Sequence, residues 1–179
     1  MQAEAGGAEE VMDNDTWNLA INYVDKKNDT STSEAVCNGI WNEILRRNFP
    51  YPKFIIAPEQ RQTSGKRPDL TVFFVDTVNS EWHPVFTFEG KAPHHIDKIS
   101  KTEDGIAQAA GYVPSLSWSN HKEFHDKQKI TYGMLACGKS FTILQYDVDK
   151  KEIKESKMLS LDTDAKYFDT FCKERANSF

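Results

Sequence analysis

Two acidic residues and a lysine near the middle of the chain have the types and spacing for phosphate chemistry. Asp69 follows Pro68 at the head of one strand-like run, and Glu89 and Lys91 lie at the end of the next. Because side chains alternate along a strand, Glu89 and Lys91 point to the same face. An adjacent strand can place Asp69 about 5 Å across from them. Two carboxylates can hold Mg²⁺, and the lysine can orient or help deprotonate an attacking water, or stabilise charge on a phosphate.

A glutamine and a tyrosine farther along the chain could support this group. Gln108 and Tyr112 are spaced i,i+4, which places them one turn apart on one face of a helix. From there they could hydrogen-bond to Lys91, to a water or to a phosphate. Basic residues on both sides of the group could line a groove that follows a phosphate backbone: Arg61, Lys66, Arg67, Lys98 and Lys101. A solvated surface explains such runs equally well, and the sequence leaves both interpretations open.

The elements that must position these residues are predicted from hydrophobic periodicity and from turn residues. Helices are expected over 9–24, from the N-cap Ser33 to Asn48, over 105–113 and over 164–176. Strands are expected over 54–57, 70–75, 84–89, 130–136 and 141–146. This order predicts one mixed α/β domain with a partly antiparallel sheet over residues 9–179. Residues 1–8, which are small and polar, are predicted to be a disordered leader.

The apolar surroundings of Glu89 and Lys91 favour a functional interpretation of the pair. An exposed same-face pair would contribute only ~0.5 kcal/mol. The run before it, PVFTF, places Val85 and Thr87 on one face and Phe86 and Phe88 on the other. That pattern predicts a central strand, where ionised side chains are unfavourable unless they are used.

These motifs together resemble the PD-(D/E)XK nuclease superfamily. The resemblance consists of Pro68-Asp69, then Glu89-Gly90-Lys91, then Gln108 and Tyr112, in that order. The last pair is similar to the added QxxxY motif of the branch that contains RecB-type nucleases. The resemblance covers about residues 34–146 and implies a three-layer restriction-endonuclease-like fold with an αβββαβ core. One departure is Gly90, where many members have a bulkier residue.

The resemblance also implies an activity and a role for each residue. It implies a metal-dependent nuclease, with DNA as the favoured substrate and Mg²⁺ or Mn²⁺ as the cofactor. The implied metal ligands are Asp69, Glu89, the backbone carbonyl of Gly90, and an acid from the preceding helix. The segment SEAVCNGIWNEIL (33–45) is similar to a helix in predicted fungal members, which favours Glu34 over Glu43 for that acid.

Charge and cysteine content limit the alternatives. The net charge is −5, and residues 1–34 contain eight acidic and two basic side chains. The overall charge argues against a nonspecific nucleic-acid binder of high affinity, but it is compatible with an enzyme that has a local basic channel. The sequence contains no apolar run long enough for a membrane helix and no secretory signal pattern. Three widely spaced cysteines favour a reducing compartment, so an intracellular, nuclear or cytoplasmic location is expected.

Three other interpretations remain open at this stage. The same fold could serve as a binding module for nucleic acid or protein, with weak or no catalysis. The chain could also be a nuclease domain of a longer multidomain protein. Finally, His94, His95 and Asp97 could bind a metal, but they lack a zinc-site spacing, so a solvated loop is favoured.

Overall fold

Seven strands form one mixed sheet, with three α-helices beside it, in the residues that the computed structural model describes: 15, 19–20, 33–116 and 128–179. The helices are α1 (Glu34–Asn48), α2 (Ile99–Tyr112) and α3 (Leu161–Asn177). The strands are β1 (Phe54–Pro58), β2 (Leu70–Asp76), β3 (Glu81–Lys91), β4 (Ile130–Cys137), β5 (Ser140–Asp147), β6 (Glu152–Glu155) and β7 (Leu159–Ser160). Short 3-10 helices span Pro93–His95 and Val113–Leu116.

The strand order in the sheet is β1-β2-β3-β4-β5-β6, and β7 pairs with β5. The first three strands are antiparallel to one another, β4 is parallel to β3, and β5 is antiparallel to β4. A parallel neighbour requires a crossover connection, which α2 provides between β3 and β4. The predicted mixed α/β class is therefore confirmed, and β3 is a central strand as expected.

Helices pack against both faces of the sheet. Neighbouring residues of a strand point to opposite faces, and here both faces carry apolar side chains. On one face Met134 belongs to the main core, which contains residues of α1 and α3. On the other face Leu135 packs with Ala109 of α2 and with Val113. The strand ends that carry the candidate residues therefore lie between α1 and α2.

The local sequence fixes the position of α1. The Ser33 side chain accepts a hydrogen bond from the backbone N–H of Val36 at 3.3 Å, and so caps the helix as predicted. Trp41 is only 1% exposed, and its indole N–H donates to the carbonyl oxygen of Gly138 at 2.8 Å. Its ring lies 5.9 Å from that of Phe88 on β3. These contacts hold the first half of α1 over the ends of β3 and β4.

Several element boundaries differ from the prediction. α2 begins at Ile99 rather than at residue 105, and α3 begins at Leu161 rather than at residue 164, since Ser160 caps it. β6 and β7 were not predicted, because β6 is exposed throughout and shows no apolar alternation, and β7 has two residues. Val85 packs in the same core cluster as Phe86, contrary to the prediction, because a bulge interrupts the register of β2 and β3 beside it.

Most of the N-terminal predictions lie outside the described residues. They are the leader over 1–8 and nearly all of the helix over 9–24, of which residues 15, 19 and 20 are described and helical. Within the described part of the chain, no helix has the length and apolar character needed to cross a membrane.

Candidate active site

The neighbouring ends of β2 and β3 bring Asp69 beside the Glu89–Lys91 segment. Leu70 pairs with Phe88 in the antiparallel register, so Asp69 lies across from Glu89 and Gly90. The backbone N–H of Gly90 donates a hydrogen bond to Oδ2 of Asp69 at 2.8 Å. One oxygen of Asp69 is thus fixed by the backbone.

Glu89 and Lys91 form a close ion pair on the face of β3 that α2 covers. The Lys91 ammonium lies 2.8 Å from Oε1 of Glu89, and the two side chains are 16% and 6% exposed. Burial raises the pKa of Glu89, while Lys91 acts in the opposite direction. Burial by itself would lower the pKa of Lys91, but the hydrogen bond and charge of Glu89, with the charges of Glu34 and Asp69, raise it overall.

The second carboxylate oxygen of Glu89, Oε2, is buried and receives no hydrogen bond from the described residues. The Tyr112 hydroxyl, on α2, approaches the carboxylate closely enough to lower its pKa, but does not complete a hydrogen bond to this oxygen. A buried carboxylate oxygen in this state calls for a water or a cation.

Glu34 approaches the same group from the first turn of α1. Burial raises the pKa of Glu34, the charge of Lys91 lowers it and the charge of Asp69 raises it further, so the helix start faces both residues. Glu43 lies on the exposed surface of α1, 3.9 Å from Arg46. Of the two acids weighed from the sequence, Glu34 is therefore the one that the fold places beside Asp69 and Lys91.

Asn38, which the sequence prediction did not single out, packs against Gly90. It lies one helical turn after Glu34, and its Oδ1 occupies the space where a Cβ of residue 90 would be. Gly90, the departure from the family pattern, is thus explained by the close approach of α1. The i,i+4 spacing of Glu34 and Asn38 places both on one face of α1, but the sequence does not show which strand that face covers.

Gln108 and Tyr112 both line a groove beside α2. The groove has a volume of about 580 Å³. We call it the α2 groove. It is lined by Lys66, Arg67, Asp104, Ala107, Gln108 and Tyr112. The Tyr112 hydroxyl interacts with Glu89, whereas Gln108 is exposed.

The predicted basic residues divide between the two ends of α2. At the C-terminal end, the Lys66 ammonium donates to the carbonyl oxygen of Gly111 at 3.3 Å, and Arg67 lies beside it in the α2 groove. At the N-terminal end, Lys98 is the N-cap residue and Lys101 is in the first turn, both exposed. The Arg61 guanidinium lies close to Gly65 in the same loop. The basic residues therefore flank the acidic cluster rather than form one continuous patch.

The residues present suit a hard divalent cation, although they do not make a complete ligand set by themselves. Asp69, Glu89 and Glu34 offer carboxylate oxygens, the donors that Mg²⁺ and Mn²⁺ prefer. The partnerless Oε2 of Glu89 is consistent with this use. Among the described residues, however, no three or more His, Cys, Asp or Glu side chains are grouped closely enough to hold a metal ion.

The histidine pair beside the site is not in a solvated loop, so that prediction was wrong. His94 and His95 lie in a 3-10 helix, half-buried, with ring centroids 4.2 Å apart. Burial lowers the pKa of His95, and nearby positive charges act in the same direction.

Comparison of the chain with protein-family models, with curated proteins and with solved structures found no match. The resemblance to the PD-(D/E)XK superfamily therefore rests on the motifs and on the geometry described above.

Proposed function

We propose that this chain is a metal-dependent nuclease with a restriction-endonuclease-like core, and that it hydrolyses phosphodiester bonds in DNA. The observation that carries the proposal is the convergence of Asp69, Glu89 and Lys91 at the neighbouring ends of β2 and β3. Ionised groups in a central strand are unfavourable unless they are paired and used. The order α1-β1-β2-β3-α2-β4 also supports the proposal, since it is the αβββαβ order of the superfamily.

In this proposal Asp69 and Glu89 bind one Mg²⁺ or Mn²⁺ ion. Glu34 and the backbone carbonyl of Gly90 would add further protein oxygens. When bound, the cation polarises the phosphate and lowers the pKa of a coordinated water. The hydrogen bond from the Gly90 N–H keeps Oδ2 of Asp69 in place, and Glu89 has Oε2 free for binding because Lys91 engages Oε1.

The remaining residues position the reacting groups. Lys91 is held by Glu89 at 2.8 Å, so its ammonium can orient the attacking water and stabilise negative charge on the phosphate. The Tyr112 hydroxyl lies beside Glu89 on the α2 side. Gln108, exposed in the α2 groove, can contact a phosphate that enters there.

The positions of the basic residues support a strand path along α2. Lys66 and Arg67 lie at one end of the helix and Lys98 and Lys101 at the other. With a rise of 1.5 Å per residue, these ends are about 20 Å apart, roughly the rise of six nucleotides in one strand of B-DNA. Such a path gives an acidic protein basic contacts at both ends of α2, with the acidic Asp104 between them.

A cleavage assay with a matched variant tests the proposal. The purified chain is incubated with plasmid, linear duplex and single-stranded DNA, and with RNA, in Mg²⁺, Mn²⁺ or EDTA. We expect metal-dependent cleavage of DNA by the wild type and none by Asp69→Asn purified in parallel. Equal cleavage by both proteins, or no cleavage of any substrate, would contradict the proposal. Metal-independent binding without cleavage would favour the binding-module alternative.

A further inference from the structure

We propose that the groove between the C-terminal end of α1 and the edge strand β1 is a docking site for an acidic segment of another protein, bound in extended conformation beside β1. The docking site is separate from the candidate active site. With a rise of 1.5 Å per residue, Arg46 in this groove lies about 18 Å along α1 from Glu34. Three observations lead to the proposal: the open edge of β1, the lining of the groove, and its charge.

β1 has an open edge in the described part of the chain, since it is the first strand of the sheet order and pairs only with β2. Lys53 and Glu59, which flank β1, both form backbone hydrogen bonds on the β2 side. Backbone groups alternate in direction along an antiparallel strand, so the even-numbered residues of β1 direct theirs outward. The N–H of Phe54 is bound by the carbonyl oxygen of Pro50, whereas Ile56 presents both an N–H and a carbonyl to a further strand.

A groove of about 690 Å³ lies between this strand and α1. We call it the β1 groove. Its apolar lining includes Phe49, Phe54, Ile55 and Ile56, and Tyr51, which also lines it, is 80% exposed. A peptide that adds a strand to a sheet edge gains main-chain hydrogen bonds from the edge and specificity from the side chains beside it. The β1 groove offers both to an extended peptide.

The charge of the β1 groove favours an acidic partner. Arg46 and Arg47 line it, both exposed in the last turn of α1, and its described lining contains no acidic side chain. Arg46 lies 3.9 Å from Glu43, and Arg47 has no ion pair within the described residues. A nucleic acid is also negatively charged, but it lacks the alternating amide donors and acceptors that pair with an edge strand. An acidic peptide matches both the charge and the edge.

Fluorescence anisotropy of a labelled peptide, titrated with the full chain, tests the proposal. The probe is a short synthetic peptide in which glutamate and valine alternate, so that its acidic side chains share one face of the added strand. We expect the wild type to bind it, and the double variant Arg46→Gln with Arg47→Gln to bind it about fivefold or more weakly. Lys151→Gln with Lys154→Gln makes the same charge change at exposed positions on and beside β6, at the other edge of the sheet, and should bind as the wild type does.

Two further probes separate strand pairing from charge attraction. A peptide of the same sequence with N-methylated amides keeps the negative charge but cannot donate main-chain hydrogen bonds, so it should lose binding. A peptide in which lysine replaces glutamate keeps the donors and reverses the charge, and it should also fail to bind. These probes require only the wild-type protein, so they decide the question even if the arginine substitutions disturb folding.

Several results would overturn the proposal. If the wild type does not bind the glutamate peptide, or if the arginine variant binds it equally well, the β1 groove is not a docking site for acidic segments. Equal binding of the N-methylated peptide would show that charge alone holds the probe. Displacement of the probe by duplex DNA would assign the groove to nucleic acid. The cleavage assay is independent of these results, so the proposed nuclease activity stands or fails separately.

Discussion

The N–H of Gly90 donates to the carboxylate of Asp69 at 2.8 Å, across 21 positions of sequence. This bond joins the start of β2 to the end of β3, and it holds an acid at the edge of the site while leaving its other oxygen available. It also gives Asp69 a structural role that does not require a negative charge, since an asparagine oxygen could accept the same hydrogen bond.

The first prediction concerns metal-dependent stability. Mn²⁺ should raise the melting temperature of the wild type, because a ligand that binds only the folded state stabilises it. Asp69→Asn should abolish the rise while keeping the bond from Gly90. Asp76→Asn is the control, since Asp76 is a buried acid at the other end of β2. It should lower the melting temperature without Mn²⁺ but preserve the rise. An unchanged rise in Asp69→Asn would contradict the proposed site.

The second prediction concerns Lys91. Lys91→Met keeps the aliphatic stem that packs near Gly105 and removes the ammonium, so DNA cleavage should fall by about 10²-fold or more. Lys139→Met is the matched control, because Lys139 is also paired with an acid, Asp162, and is similarly exposed, 20% against 16%. Initial rates on plasmid DNA decide the outcome. A rate for Lys91→Met equal to that of the control would exclude a role in the reaction.

The third prediction concerns pH in the absence of metal. The folded pKa of Glu34 is raised above its ordinary value of 4.5, because the carboxyl is buried and lies near Asp69. The folded chain therefore holds this proton more tightly than the unfolded chain. As the pH rises from 4.5 through the folded pKa, ionisation of Glu34 lowers the free energy of unfolding. Above the folded pKa the free energy of unfolding falls no further on account of Glu34.

Urea unfolding of Glu34→Gln in EDTA measures this effect. The stability of the variant relative to the wild type should increase with pH over that interval and then level off. Glu43→Gln removes an exposed carboxylate from the same helix and serves as the control. A relative stability of Glu34→Gln that falls with pH would contradict the prediction.

The fourth prediction concerns the packing of α2 on the sheet. A Cβ at Gly105 would lie 2.8 Å from Cδ1 of Leu135, so Gly105→Ala should cost about 1–3 kcal/mol in overpacking. Helix propensity offsets about 1 kcal/mol of this cost, which leaves a net destabilisation of up to about 2 kcal/mol. Gly39 is exposed on α1 with nothing near its Cβ position. Gly39→Ala should therefore stabilise the protein by about 0.5–1 kcal/mol through helix propensity. Chemical denaturation gives both values, and equal effects of the two changes would show that α2 does not pack as described.

The fifth prediction concerns the basic residues at the end of α2. Replacing Lys66 and Arg67 with alanine should weaken DNA binding and reduce the salt dependence, by about 0.9 in slope for each lost contact to a duplex phosphate. Replacing Arg46 and Arg47 makes the same charge change at the far end of α1 and should alter binding less. Fluorescence anisotropy across a salt series distinguishes the two pairs. Equal losses would mean that DNA does not follow α2.

Local sequence was sufficient for the class of the fold and for most of its elements. The Ser33 cap and the apolar stripe of α1 are local features, and so are the alternating runs of β2 to β5, since each depends on residues a few positions apart. The pairing of Asp69 with the Glu89–Lys91 segment was also predictable, because consecutive strands usually lie side by side. The short strands β6 and β7 lacked such a signal, since tertiary pairing with β5 defines them.

Only the tertiary structure decided which other residues join the site. The approach of α1 over Gly90 placed Glu34, which the resemblance had already favoured over Glu43, beside Asp69 and Lys91, and it depends on contacts such as that of Trp41 with Gly138, 97 positions away. The side of α2 that faces the sheet likewise directed Tyr112 to Glu89 and left Gln108 exposed. Periodicity determines which residues share a face of one element, whereas the packing of elements determines which faces meet.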